Sequence, residues 1–531
     1  MKDIAISKAN FEELIEDNFI YVDKTEFLHK ITASREPYYF LSRPRRFGKT
    51  LFVDTLEKFY QGKKELFAGL FIYNQDWDWE EYPVVHLDFN MIPSENREIM
   101  EKSLQKTFAK IADQYDTELK TEEAYYMFPN LIENLQNKFD KGVVVLIDEY
   151  DKPVISTLDN SLKSNGIINL NTAHENQKFL KILYDNLKAL EPKLEKVFIT
   201  GVSKFSKLSI FSTLNNLIEL DQDPEFAEIM GYTEEELDKY FSHYFEKLAE
   251  NNNLTLTETK NKFRKMYNGF RFTEKDSRVY NPFSVGSALK KSSFDNYWFQ
   301  SGTPSFLVEL IREKKFDVSN LENIEVGRDE IKAYDIEKLE LIPLLFQTGY
   351  LTIKDIEDQI IYRLGYPNLE VEKSFTLNLA KTFSENKITI PVIHRLKKSF
   401  ANKDFEKFSE QMKSIFANLA NINIPKSLQD REHYYHSIFY LTGVLLSDDN
   451  FNVYSEILTS EGRIDMLVET KTNIFIVEFK CNQSAEKAIK QIKDKNYADR
   501  FKLKNKEIIL IGINFDTEKR NISGIEIEEP V

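Results

Sequence analysis

The chain has 531 residues, 42% of them hydrophobic and 30% charged, which is too long for one core and apolar enough for several. With 71 basic against 86 acidic side chains the net charge is −15, which excludes a protein that coats nucleic acid through overall basicity. A single cysteine, Cys481, excludes a disulfide scaffold and a multi-cysteine zinc site, and fits a reducing compartment. No apolar run approaches the ~18 residues of a membrane span, and the N-terminus meets charge too early for a secretory signal. The expectation is a soluble, cytoplasmic, multidomain protein with no membrane partner.

Residues 1–223 alternate short apolar runs with helical stretches, the pattern of an α/β layer fold. The runs Tyr38–Leu41, Val84–Phe89, Val143–Ile147, Val197–Thr200 and Leu217–Leu220 read as strands, several of them continuously apolar as parallel strands covered on both faces are. Residues 224–312 turn helical, with Thr233 and Glu236 spaced as a capping box, and read as a lid region. Residues 313–427 are mixed: a helix-like IEKLELIPLLFQTG runs into YLTIKDIEDQIIYRLGYPN, a hairpin pattern, which suggests a winged-helix-like connector. Residues 428–531 start again with a helix from Arg431 to Leu446 and strands at Phe451–Ile457, Arg463–Val468 and Ile474–Lys480. A lysine-rich helix and a strand at Ile508–Ile513 complete an αβββαβ order.

Between the first strand and an amphipathic helix lies SRPRRFGKT, Ser42 to Thr50. Strand, loop and helix N-terminus are the setting of a phosphate loop. Gly48 permits close backbone approach, Lys49 reaches terminal phosphates and the Thr50 hydroxyl can ligate Mg²⁺. The pattern GxxxxGK[ST] asks for glycine where this chain has Arg43, and a basic turn containing GKT by chance is the bland alternative. About a hundred residues on, VVVLIDEYD ends an apolar strand in Asp148 and Glu149. Asp148 is then placed near Mg²⁺ and Glu149 placed to polarise the attacking water. If the fold inserts a strand between the phosphate-loop strand and the Asp148 strand, VFIT is that strand, and Thr200 or Ser203 at its end either senses the γ-phosphate or caps a helix.

The stretches YVDKT (Tyr21–Thr25), RPRRFGKT, LIDEYDKP and ITGVSKFS resemble the bacterial AAA-ATPase-like family, as do YNGFRF (Tyr267–Phe272), YNPFSV (Tyr280–Val285) and YWFQSGTPSFL (Tyr297–Leu307). That resemblance makes Arg43 a family variant. It implies a P-loop NTPase three-layer sandwich that binds ATP with Mg²⁺, through Arg46, Phe47, Gly48, Lys49, Thr50 and Asp148, with Thr50 and Asp148 at the metal and Glu149 catalytic. Arg271 reads either as a charge-sensing arginine or as a surface ion pair.

Near the C-terminus stands EGRIDMLVETKTNIFIVEFK, Glu461 to Lys480. The strand period puts Glu478 and Lys480 on one face with Ile476, and Val477, Phe479 and Cys481 on the other. A hairpin with a two-residue loop around 471–473 sets Asp465 opposite Glu478 or Lys480. Two carboxylates can hold Mg²⁺ as a Lewis acid while a lysine orients water, the chemistry of phosphodiester hydrolysis. An exposed hairpin with surface ion pairs is the alternative. The segment resembles the PD-(D/E)XK nuclease superfamily, restriction-endonuclease-like in fold. The resemblance implies Asp465, Glu478 and Lys480 as the catalytic core, Asp465 and Glu478 as metal ligands, an added acid at Glu432, and a following helix carrying Gln491 and Tyr497.

Lys480, Lys487, Lys490, Lys493, Lys495, Arg500, Lys502, Lys504 and Lys506 make this region locally basic, either a phosphate-tracking surface or, with Glu486, Asp494 and Asp499 interleaved, a solvated helix face. The expected function is an ATPase that gates or drives Mg²⁺-dependent cleavage of nucleic acid, with DNA favoured over RNA by the resemblance alone and room left for a homo-oligomer. The alternative is an ATP-dependent switch whose C-terminal domain binds nucleic acid or a partner without cutting.

Overall fold

The computed structural model describes residues 2–165, 170–205, 214, 216–298, 305–314, 316–318, 321–332, 338–384, 386–419, 428–447, 451–459, 462–519 and 521–529, with backbone alone at 159–165, 305, 418–419, 428–434, 455–456 and 458. The chain forms two compact units. One comprises Met1–Leu307 with Ile324–Val371, the other Val308–Asn323 with Glu372–Val531.

The first unit is built on a parallel sheet of β1 (Tyr38–Ser42), β2 (Val84–Asp88), β3 (Val143–Asp148), β4 (Leu194–Gly201) and β5 (Ile218–Glu219). Its order is β2-β3-β4-β1-β5 and every pair is parallel, so β4 is the strand inserted between β1 and β3. All six residues of β3 are buried, including Asp148, because helices cover both faces of a parallel sheet. The chain leaves β1 and β3 at the same sheet edge, where α/β folds bind ligands.

Helices follow. Glu234–Asn252 opens with the reciprocal Thr233–Glu236 capping box, and Leu256–Tyr267 opens with a second one at Thr255–Glu258. With Pro282–Lys291 they enclose an apolar core around Phe241, Phe245, Phe263 and Tyr267. The hairpin pattern becomes β7 (Thr352–Glu357) and β8 (Ile361–Gly365), joined by an edge strand, β6 (Ile324–Gly327), in the order β6-β8-β7.

The second unit carries β9 (Phe451–Thr459), β10 (Gly462–Thr470), β11 (Asn473–Cys481), β12 (Glu507–Asp516) and β13 (Asn521–Glu528) in the order β13-β12-β11-β10-β9. β13 extends the αβββαβ reading by one strand, paired antiparallel to β12. β11 and β12 are parallel and so need a crossover, supplied by the helix Ala485–Asp494. That helix buries Ala485, Ala488, Ile489 and Ile492, a stripe at helical spacing, against Ile474 and Ile476. The opposite sheet face is aromatic. Phe479 meets Phe439 (ring centroids 4.7 Å apart) of the helix Leu428–Leu446, and Phe475 meets Phe400 (4.5 Å) of the helix Ile390–Ala401. Among the described residues no helix is long and apolar enough to cross a membrane.

Candidate functional sites

The phosphate loop leaves β1 and enters the helix Lys49–Tyr60, with Gly48 as N-cap at φ 95°, a left-handed conformation open to glycine. A Cβ on Gly48 would meet nothing within 4 Å, so the loop is open there. The loop lines a cavity of about 690 Å³ together with Arg45, Arg46, Thr50, Glu149, Lys152, Tyr21 and Tyr232. That volume is within the range of small-molecule and cofactor pockets.

Lys49 is buried and donates to the Arg43 and Pro44 carbonyls at 3.0 and 3.3 Å while lying 3.2 Å from Glu149 Oε1. Asp148 is wholly buried, and neither carboxylate oxygen has a well-formed hydrogen bond. Burial, then the Glu149 charge, pushes its pKa up to about 6, opposed by the nearby Thr50 hydroxyl and Lys49. An orphaned buried carboxylate beside a threonine hydroxyl is a donor set that a hard cation satisfies. The residues present therefore fit Mg²⁺ and a nucleotide triphosphate.

Arg43 is not turned to the cavity. It is buried, donates to the Ser42 and Asp221 carbonyls at 2.9 and 3.0 Å, and lies 4.4 Å over the Phe272 ring. Burial lowers its pKa to about 10, with Asp221 opposing. The residue in the first glycine's place is thus a structural cation. Arg46 has φ 69° and lies 4.9 Å over Phe283, while the Phe47 ring is buried against Phe270 and Phe272, leaving its backbone to the loop.

Asp151 was not among the sequence candidates. Its buried carboxylate accepts from the Val202 N–H (3.2 Å), the Ser203 N–H (2.8 Å) and the Ser203 hydroxyl (2.7 Å), tying the end of β3 to the end of β4. The Ser203 hydroxyl is therefore committed to Asp151, while Thr200 Oγ1 is buried with no partner among the described residues. The signal was the third acid of DEYD. Arg271 is turned into its own loop, donating to the Thr273 and Glu274 carbonyls. In YVDKT, the Asp23 carboxylate accepts the Thr25 N–H (2.9 Å) and hydroxyl (2.7 Å) just ahead of the helix Thr25–Ala33, and Lys24 lies 2.6 Å from Glu236 of the capping box.

In the second unit β10 and β11 pair as Met466↔Val477 through Glu469↔Ile474, a two-residue loop at Lys471-Thr472. One step further that register sets Asp465 opposite Glu478, the first of the two oppositions the sequence allows. Asp465 Oδ2 accepts the Phe479 N–H at 2.8 Å. Glu478 is 2% exposed, lies 3.0 Å from the Lys480 ammonium and accepts from Gln491 Nε2. Tyr497 donates to the Arg463 carbonyl at 2.9 Å. This is not an exposed hairpin with surface ion pairs. Two opposed carboxylates, one deeply buried, are a donor set that a divalent ion fits. Among the described residues no three His, Cys, Asp or Glu side chains cluster as a full metal cage. Glu432 belongs to the helix Leu428–Leu446, but its side chain falls outside the described residues. Of the basic residues, Lys493 pairs with Glu528, Lys502 with Asp499, and Lys504 and Lys506 with Glu469.

A parallel β2-β3-β4-β1-β5 sheet with a phosphate loop after β1, followed by a mixed sheet with opposed carboxylates and a lysine, defines a P-loop ATPase-like protein with a nuclease-like C-terminal domain. Comparison with known proteins agrees. Residues 4–211 match the family described as Predicted AAA-ATPase, and residues 430–524 match the PD-(D/E)XK nuclease superfamily. An uncharacterized protein in the vnfD 5′ region of Azotobacter chroococcum mcd 1 is 32% identical over 538 residues, covering 99% of each chain. The chain belongs to this family of AAA-ATPase-like proteins with a C-terminal PD-(D/E)XK nuclease superfamily domain.

Proposed function

We propose that this protein binds and hydrolyses ATP and uses it to gate or drive phosphodiester cleavage of nucleic acid, with DNA the favoured substrate and the cytoplasm its place. In this reading residues 1–223 bind nucleotide, 224–312 form their lid, 313–427 connect and 428–531 cut. Lys49 supplies the cation for the β- and γ-phosphates, and Thr50 and Asp148 hold the accompanying Mg²⁺. Glu149 takes the proton of the attacking water. At the second site Asp465 and Glu478 hold a divalent ion, Lys480 orients water, and Gln491 fixes the Glu478 rotamer. A divalent ion bound there supplies Lewis-acid stabilisation of charge on the phosphoryl oxygens.

The observation that carries the reading is the burial of Glu478 in an ion pair with Lys480, directly across from Asp465. Burying a charged pair is costly, and a surface that only binds nucleic acid has no use for it. The test incubates purified protein with linear, circular and single-stranded substrates, with and without ATP and Mg²⁺, beside Lys480→Ala. Cleavage by wild type that Lys480→Ala lacks supports the reading. Binding with no cleavage in any arm favours the switch.

A further inference from the structure

Three stretches to which the nucleotide chemistry gives no role meet around the phosphate loop. The loop is strained at Arg46, whose φ of 69° is a region that residues with a Cβ adopt at a cost. A strained loop persists when its surroundings hold it. From YNGFRF, Phe270 and Phe272 take the Phe47 ring edge-on at 4.9 and 5.5 Å. From the segment after the helix Leu341–Gln347, Gly349 packs on Pro44. It has φ +86°, and a Cβ there would lie 2.7 Å from Pro44 Cγ. From YWFQ, the Trp298 indole N–H donates to the Arg45 carbonyl at 3.1 Å.

Trp298 is itself held. Its ring is buried 5.3 Å from Tyr350, and its backbone N–H donates to Glu370 at 2.8 Å. Glu370 is buried and accepts the Ser284 hydroxyl at 2.7 Å through its other oxygen. All of these residues belong to the first unit. Among the described residues no peptide bond is cis, and in a planar trans peptide the C=O and N–H point to opposite sides, so pulling the Arg45 carbonyl toward Trp298 fixes the Arg46 N–H on the far side of that peptide. Arg46 lines the cavity.

We infer that Trp298 is a positioning residue for the phosphate loop. It sets the orientation of the Arg45–Arg46 peptide, and hence of a backbone donor toward an anion, while Glu370 sets Trp298. The inference rests on the nucleotide-binding reading of that loop. Trp298→Phe keeps the aromatic bulk and removes the donor, so a loss of about five- to tenfold in ATP affinity follows, the equivalent of one hydrogen bond.

The experiment titrates wild type, Trp298→Phe and Lys49→Ala with a non-hydrolysable ATP analogue and Mg²⁺, by calorimetry and tryptophan emission, and melts each protein without nucleotide. The expected result, read at a temperature where every variant is fully folded, is a five- to tenfold weaker Kd for Trp298→Phe. Its emission should also lose the nucleotide-dependent change that wild type shows, even at saturation. A Kd within twofold of wild type at that temperature overturns the inference. If Trp298→Phe does not fold, a Trp77→Phe/Trp79→Phe protein, whose sole indole is Trp298, decides: emission that responds to nucleotide supports the inference and emission that does not overturns it. Wild type that binds no nucleotide sinks the nucleotide reading itself. Wild type that binds while Lys49→Ala does not, with Trp298→Phe equal to wild type, sinks only the role of Trp298.

Discussion

The Lys49 ammonium lies 3.2 Å from the Glu149 carboxylate, so the cation proposed for phosphates and the base proposed for water are paired with each other. Each must leave the other to act. Lys49→Ala removes the cation and should weaken ATP binding at least about thirtyfold, the low end of losing one partner of a buried charge pair. Glu149→Gln keeps shape and frees Lys49. It should bind ATP as tightly as wild type or more so, while turnover falls about a hundredfold or more. Calorimetric titration and steady-state phosphate release check both. Equal ATP affinity in Lys49→Ala and wild type would show that the loop does not hold phosphates.

Arg43 stands where a standard phosphate loop has glycine, and Arg43→Gly restores the pattern. The structure predicts that this gains nothing. The change removes a buried guanidinium stacked 4.4 Å over Phe272 and leaves the buried Asp221 carboxylate, which accepts from the Ser42 N–H, with Lys204 but without the nearer Arg43 charge. The cost should be about 3–5 kcal/mol of stability with no rise in ATP affinity. Thermal melting and ATP titration measure the two, and tighter binding at undiminished stability would make Arg43 a defect rather than a brace.

Glu370 should make stability depend on pH. Burial pushes its pKa up to about 7, against hydrogen bonds from Trp298 and Ser284, while the charge of Asp295 adds to the rise. A carboxyl raised in the folded state is favoured when protonated, so its contribution is whole below about pH 4.5 and lost as pH climbs through about 7. Glu370→Gln has no proton to lose. The variant should therefore gain on wild type between about pH 4.5 and 7, by on the order of 3 kcal/mol, and hold a constant lead above. Parallel melting curves at pH 5, 6, 7 and 8 trace it, and a pH-independent difference would mean that Glu370 does not titrate there.

The parts of this molecule that were legible in its sequence are those set by local pattern. β1 and β3 are short and wholly buried because both faces are covered, and the Thr233–Glu236 box sits within one helical turn. The hairpin of β10 and β11 was legible up to a choice of register, since loop length and pleat alone leave Glu478 or Lys480 opposite Asp465. Only the pairing decides for Glu478. What escaped depends on residues far apart in the chain. Arg43 reads as one more basic loop residue until Phe272 and Asp221 surround it. Asp151 finds its donors at Val202 and Ser203, just past β4 and about fifty positions away. The helices Ile390–Ala401 and Phe405–Leu419 carry no motif, yet Phe400 packs on Phe475 and Phe416 on Phe515, so the connecting segment is anchored on the C-terminal sheet.

The central claim is that the opposed carboxylates and Lys480 cut nucleic acid under the control of ATP. It is tested most directly by measuring cleavage of a linear duplex at fixed free Mg²⁺ across ATP concentrations, for wild type, Lys480→Ala and Lys49→Ala. The account predicts cutting by wild type that varies with ATP and a loss of about a hundredfold or more in Lys480→Ala. Lys49→Ala should retain cutting that no longer responds to nucleotide. Cleavage that survives undiminished in Lys480→Ala, or wild-type cleavage indifferent to ATP, ADP and no nucleotide, would contradict it.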